Sequence, residues 1–114
     1  MPFTVYDDND GQPCRLAASG DIDVAVADEL ADLGKTTLRQ MTGDALLIDL
    51  ADVTFMDSTG LAALVKIRNE SIDLNKRLTL ANVPKQVSQI LTITALDTVL
   101  PQVEHTSPDG DLGG

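Results

Sequence analysis

The stretch Ala45–Leu61, ALLIDLADVTFMDSTGL, constrains the fold of this chain more than any other segment. Four apolar residues, Ala45 to Ile48, lead into Asp49 and Leu50, and a second apolar cluster, Val53, Phe55 and Met56, follows a short polar break. Asp57, Ser58, Thr59 and Gly60 then stand directly before a run of apolar residues at helical spacing. The pattern reads as a buried strand, a connecting turn and a helix whose first turn carries a hydroxyl beside a carboxylate. A helix start presents unpaired backbone N–H groups at the positive end of its dipole, so a phosphoryl group on that hydroxyl would meet a favourable field.

The flanking sequence supplies the other elements. Phe3–Tyr6 alternates apolar and polar residues, Asp7-Asp8-Asn9-Asp10-Gly11 is a turn cluster, and Arg15–Ala18 returns as a second strand, which predicts a hairpin. Ser19–Asp23 closes that strand and opens a helix with Asp23 typed as its N-cap. Val26, Leu30, Leu33 and Met41 then recur at helical spacing, and Thr42-Gly43-Asp44 stops the helix before Ala45. The next helix spans Ser58 to about Leu74, with Leu61, Leu64, Val65 and Ile72 assigned to its inner face and Lys66, Arg68, Asn69, Glu70 and Asp73 to its wet side. Asn75-Lys76 breaks it and Arg77–Ala81 forms another strand. Pro84 starts a third helix, where its missing N–H costs nothing, and Val87, Ile90 and Leu91 give that helix its apolar face. Thr92–Asp97 is ambiguous, Val99–Val103 suits a short edge strand, and the composition of residues 105–114 predicts a disordered tail. This order predicts a small mixed β-sheet of four to five strands with three or more helices packed on it.

Size and charge narrow the function. With 114 residues the chain makes one domain, here residues 1–104, and an aromatic content of 3% leaves an aliphatic core. The net charge of −10 argues against nucleic-acid binding, which needs a basic footprint, and suits a basic protein partner. No apolar run approaches the roughly 20 residues of a membrane span, and Met-Pro-Phe-Thr-Val lacks the features of a signal peptide, so a cytoplasmic protein is expected. The lone Cys14 excludes an internal disulfide framework and is expected inside a strand as a small hydrophobe. Placing Gly11 at the sixth position of a calcium loop puts Tyr6 and Ala17 at ligand positions, which neither can fill. With one His, one Cys and scattered carboxylates there is no metal-ligand pattern, and no Gly-rich phosphate loop ending in Lys-Ser or Lys-Thr. Ser58 has no Gly-x-Ser-x-Gly context, and the single histidine, His105, lies in the tail, so the chain is not expected to be an enzyme or to hold a cofactor.

The run Ile48-Asp49-Leu50 through Val53 and Phe55 to Asp57-Ser58-Thr59-Gly60-Leu61 resembles the signature of the anti-sigma-factor antagonist family, the STAS domain, and the likeness extends over about residues 3–103. The resemblance implies a small sheet with helices mainly on one face. It further implies binding to an anti-sigma factor that is also a serine kinase, phosphorylation of Ser58 by it, and dephosphorylation by a phosphoserine phosphatase. ATP would belong to the partner. Such domains commonly end in a further helix, and residues 106–114 have no apolar face to form one, so the final helix is expected to be lacking.

Each residue of the implied site also has a structural explanation. Asp57 or Ser58 suits the N-cap of the second helix, and capping is compatible with phosphorylation of Ser58. Asp57 would then help to position the acceptor, or serve as a plain cap. Thr59 is a second hydroxyl, either a minor acceptor or a solvated first-turn residue. Gly60 either leaves room for a partner's backbone or permits close helix–sheet packing. Gly20-Asp21-Ile22-Asp23 is similar to the family's Gly-Glu-Leu-Asp element, which lies beside the serine, so Asp21 and Asp23 join the implied partner surface, with capping as the alternative for Asp23. Unmodified Ser58 would permit docking, and a phosphate of charge about −1.5 to −2 would forbid it by repulsion, desolvation and bulk.

Overall fold

The structure is a computed structural model that describes residues 3–6 and 14–103, apart from the side chains at 97 and 103. In chain order the elements are β1 (Phe3–Tyr6), β2 (Cys14–Ile22), α1 (Val24–Gln40), β3 (Ala45–Met56), α2 (Ser58–Asp73), β4 (Arg77–Ala81), α3 (Lys85–Ile93), a single 3-10 turn (Leu96–Thr98) and β5 (Gln102–Val103). The five strands lie in sequential order. β1 pairs antiparallel with β2, and β2 through β5 are parallel neighbours. Each parallel pair is joined through a helix, and right-handed connections stepping the same way along the sheet put all three helices on one face. The mixed sheet and its one-sided helices are as the sequence predicts. The acidic turn 7–11, the tail 105–114 and the expected lack of a final helix lie outside the described residues.

β3 shows why the central strand reads ambiguously. Leu46, Ile48 and Leu50 are buried at steps of two, the strand period, and point into the helix-covered core. The next buried positions, Val53 and Met56, come at steps of three. From Ala17 to Ile22 β2 advances five residues, while its partner β3 advances seven, from Asp49 to Met56, with register shifts at two places. Two surplus residues therefore bulge out of β3. The Ala51 N–H turns to its neighbour's side chain, donating to Asp49 Oδ1 at 2.9 Å. The polar break that suggests a connecting turn is thus a bulged continuation of one twelve-residue strand, which runs unbroken to Met56.

β2 begins at Cys14, which is buried as expected, and extends to Ile22, within the Ser19–Asp23 segment expected to close it. Gly20 takes a φ of +76°, a conformation that disfavours side chains, at one of the two register shifts between β2 and β3. α1 and α2 pack through a close approach at Gly34. A Cβ built there falls 2.4 Å from Ile67 Cδ1 and 2.6 Å from Cγ1. Ile67 is fully buried, whereas Ile72, expected on the inner face of α2, is 52% exposed. The inner face is Gly60, Leu61, Ala63, Leu64, Ile67 and Ser71. An Arg39–Glu70 ion pair at 2.7 Å ties the two helices at their outer rim. It raises the Arg39 pKa and lowers that of Glu70, in both cases chiefly through the shared hydrogen bond.

Helix ends follow local chemistry. α1 stops at Gln40, with Met41 as an extended C-cap rather than a helical residue. The Lys76 ammonium reaches back to this end and donates to Leu38 O at 2.7 Å and Met41 O at 3.1 Å, where cations complement orphan carbonyls. α2 ends at Asp73, with Leu74 as its C-cap and Asn75 at a positive φ of 57°. Pro84 is the N-cap of α3, one residue before the helix proper. The ambiguous segment after it becomes the end of α3, a left-handed Ala95 and the 3-10 turn.

Candidate functional site

The parallel strands all point their C-terminal ends to one edge of the molecule, and the N-termini of α1 and α2 lie there. Ile22 and Met56 pair as the last ladder positions of β2 and β3. One residue further along each chain stand the two caps, Asp23 and Asp57. The Asp57 N–H donates to Ile22 O at 3.4 Å, which stitches the start of α2 to the strand that feeds α1. The topology thereby brings Asp21, Asp23, Asp57, Ser58, Thr59 and Gly60 to one end of the fold.

Their individual roles differ. Asp23 caps α1, accepting from the Ala25 N–H at 3.0 Å. Asp57, not Ser58, caps α2. Its Oδ1 accepts from the Thr59 N–H at 3.0 Å, the Gly60 N–H at 3.3 Å and the Thr59 hydroxyl at 2.5 Å. These bonds favour the ionised carboxylate. The Thr59 hydroxyl above all holds the Asp57 carboxyl below its ordinary range, against the opposing cost of burial, and the Gly60 and Thr59 N–H groups add to the effect. The first-turn donors expected to be open to a phosphoryl group are therefore already engaged at Thr59 and Gly60.

Ser58 is the first residue of α2 and is exposed, and its hydroxyl has no hydrogen-bond partner among the described residues. Thr59 is half-buried with its hydroxyl committed to Asp57, so it is not the solvated residue considered from sequence. Gly60 is buried, and a Cβ there would lie 2.6 Å from Met56 Cγ and 3.0 Å from both Ile22 Cγ2 and Ile22 O. Its missing side chain serves close packing of α2 onto the ends of β2 and β3.

Asp21 is exposed and accepts from the Thr54 hydroxyl at 2.7 Å across the β2–β3 pair. Gln86 at the start of α3 donates to Thr54 O, so Thr54 links both neighbouring elements to the site edge. Thr54 was not distinguished by sequence reasoning. Nor was Val24, which is 72% exposed near the site, while Phe55, grouped from sequence with the apolar cluster of Val53 and Met56, is 46% exposed. The steps of three between Leu50, Val53 and Met56 carry the signal for Phe55, because they leave residues 54 and 55 on the outside of the bulged strand. Val24 and Asp28 of α1 and Thr59, Ala62 and Lys66 of α2 line a groove between the two helices. Asp28, Glu29 and Asp32 crowd the site half of α1, and Lys35 and Arg39 its far half, so the exposed charge at this edge is mainly negative. Among the described residues no group of three or more His, Cys, Asp or Glu is arranged to hold a metal ion. No helix among them is long and apolar enough to cross a membrane.

Residues 5–102 match the family described as "Mlab, STAS domain". A STAS-domain containing protein of Pseudomonas aeruginosa, PA14_20770, is 27% identical over 94 residues, covering 82% of this chain and 91% of that protein. Among solved structures, an anti-sigma factor antagonist from Mycobacterium paratuberculosis superposes with a TM-score of 0.76 at 26% identity, covering 94% of this chain and 87% of that one. The Bacillus cell fate determinant SpoIIAA in its phosphorylated form gives a TM-score of 0.71 at 15% identity, covering 94% of each chain, a likeness of fold.

Proposed function

This chain belongs to the STAS domain family, and from that premise we propose that it is an anti-sigma-factor antagonist switched off by phosphorylation of Ser58. Its partner is an anti-sigma factor with serine kinase activity, and a phosphoserine phosphatase resets it in the cytoplasm. The observation that carries this reading is the contrast between neighbouring side chains. Asp57 and Thr59 are tied into the cap, while the Ser58 hydroxyl stands exposed and uncommitted on the first turn. Docking would use Ser58, Asp57 and Thr59 with the Asp21–Asp23 strand end, and Gly60 would act from inside by setting the height of α2. A phosphoryl group on Ser58 would add charge beside the Asp57 carboxylate and bulk at the centre of that surface.

The test compares Ser58→Asp and Ser58→Ala in binding to the kinase purified from the source cells, with circular dichroism confirming that both variants fold. Ser58→Asp should weaken binding about 100-fold or more, since burying a second carboxylate beside Asp57 at an interface costs several kcal/mol. Ser58→Ala should bind as wild type and accept no phosphate. Equal binding by all three proteins would refute the switch and leave a constitutive STAS interaction module within a larger assembly.

A further inference from the structure

We infer that Thr59 is a positioning residue for the Ser58 switch: its hydroxyl clamps Asp57 over the first turn of α2, so that a phosphoryl group on Ser58 is kept outside the helix cap and displayed to the partner. The inference rests on the reading of Ser58 as the phosphoacceptor. The geometry carries it. A single oxygen, Asp57 Oδ1, receives the Thr59 hydroxyl and the N–H groups of Thr59 and Gly60. Beyond the N–H of Ser58 itself, those two N–H groups are the first-turn donors that a phosphate at the helix start would otherwise recruit. To take them, the phosphate would have to displace a carboxylate held by three bonds, one of them from a side chain. Gly60 is packed closely on the strand ends, with Met56 and the Ile22 backbone on its inner side.

Two outcomes are available to a phosphorylated helix start. In one, phosphate replaces the cap, its charge is satisfied inside the helix, and the surface changes little. In the other, the cap holds and the phosphate projects with its charge unrelieved. A switch that works by placing bulk and unburied charge at the docking surface needs the second, and Thr59 enforces it. This also assigns the two adjacent hydroxyls different work. Thr59 is the clamp and Ser58 the acceptor.

The test uses the full chain with phosphoserine introduced at position 58 during translation, which needs no kinase. Phosphorus NMR titrates the phosphoryl group, and nitrogen–proton spectra follow the Thr59 and Gly60 amides. With Thr59 intact, phosphorylation should leave both amide shifts near their unmodified values, and the second phosphate ionisation should stay at or above its ordinary pKa of about 6 beside the Asp57 carboxylate. In Thr59→Val the loosened carboxylate should yield, the two amides should move downfield, and the phosphate pKa should fall by about half a unit or more as it gains the helix donors. Thr59→Ser should restore wild-type behaviour. The inference is overturned if phosphorylated wild type already shows the downfield amides and lowered phosphate pKa, or if Thr59→Val changes neither. Absence of phosphate on Ser58 in cells would instead defeat the proposed function and leave these measurements standing.

Discussion

Replacing Gly34 by alanine should destabilise the protein, although alanine is the better helix former. The gain in helix propensity in α1 is about 1 kcal/mol. Against it stands the contact with Ile67, whose Cδ1, Cγ1 and Cγ2 would lie 2.4, 2.6 and 3.1 Å from the new methyl. Ordinary carbon contacts are about 3.5–4.0 Å, so the helices or the side chain must give by roughly 1 Å. Rotation offers no escape. Every branch of Ile67 is close, a β-branched residue in a helix has one favoured rotamer, and the side chain is fully buried. Overpacking of this kind costs about 1–3 kcal/mol, and the closeness here argues for the upper end, leaving a net loss of about 2 kcal/mol. Ile67→Ala removes all three clashing atoms at a cost of about 2–5 kcal/mol. In that background Gly34→Ala should stabilise by about 1 kcal/mol, giving a coupling energy of about 3 kcal/mol. The four proteins are compared by urea unfolding followed by far-ultraviolet circular dichroism, since the chain contains no Trp. A Gly34→Ala change that stabilises wild type and the Ile67→Ala variant equally would refute the argument.

Other expectations follow from the helix ends. Ala95 sits at a φ of 62° just past α3, where glycine is usual, so Ala95→Gly should raise stability by up to about 1 kcal/mol after the entropy of the unfolded chain is counted, seen as a higher thermal midpoint. Lys76→Met should cost about 1 kcal/mol in urea unfolding by stripping the ammonium from the end of α1. Asp57→Ala should destabilise the protein at neutral pH. Because folding lowers the Asp57 pKa, its contribution is complete above the unfolded-state value of 3.8 and is lost as pH falls through the lower folded-state value. The gap between wild type and Asp57→Ala in a series of unfolding midpoints should therefore narrow only in that acidic window; a gap that is constant across it would count against the cap bonds.

The strand–helix order was legible because each boundary carries its own chemistry. Asp23 announces α1, Asp57 announces α2, and Thr42-Gly43-Asp44 and Asn75 close them, all from local rules. What local rules could not supply was the pairing of β3 with β2. A bulge is a relation between two strands, so the break at Ala51-Asp52 looks like a turn until the register is known. The same blindness misplaced Ile72, whose helical spacing is apolar but whose face turns outward once Gly34 and Ile67 fix how α1 and α2 meet. At the site the residue types in Asp57-Ser58-Thr59-Gly60 were readable. Which hydroxyl was tied down and which way Gly60 faced depended on the Ile22–Met56 ladder, whose partners are thirty-four residues apart in sequence.

The surplus length of β3 gives the two halves of this site different tolerance to insertions and deletions. A chain one or two residues shorter across the bulges can keep Asp49 opposite Ala17 and Met56 opposite Ile22, because the ladder closes up and only the bend is lost. The approach to Ser58 can therefore drift in length over evolutionary time without moving its end point. A single insertion within the first turns of α2 has no such refuge, since it rotates every later residue by about 100° and turns the buried face of the helix toward water. Length variation among descendants of this chain should accordingly collect before Met56 and stop at Asp57.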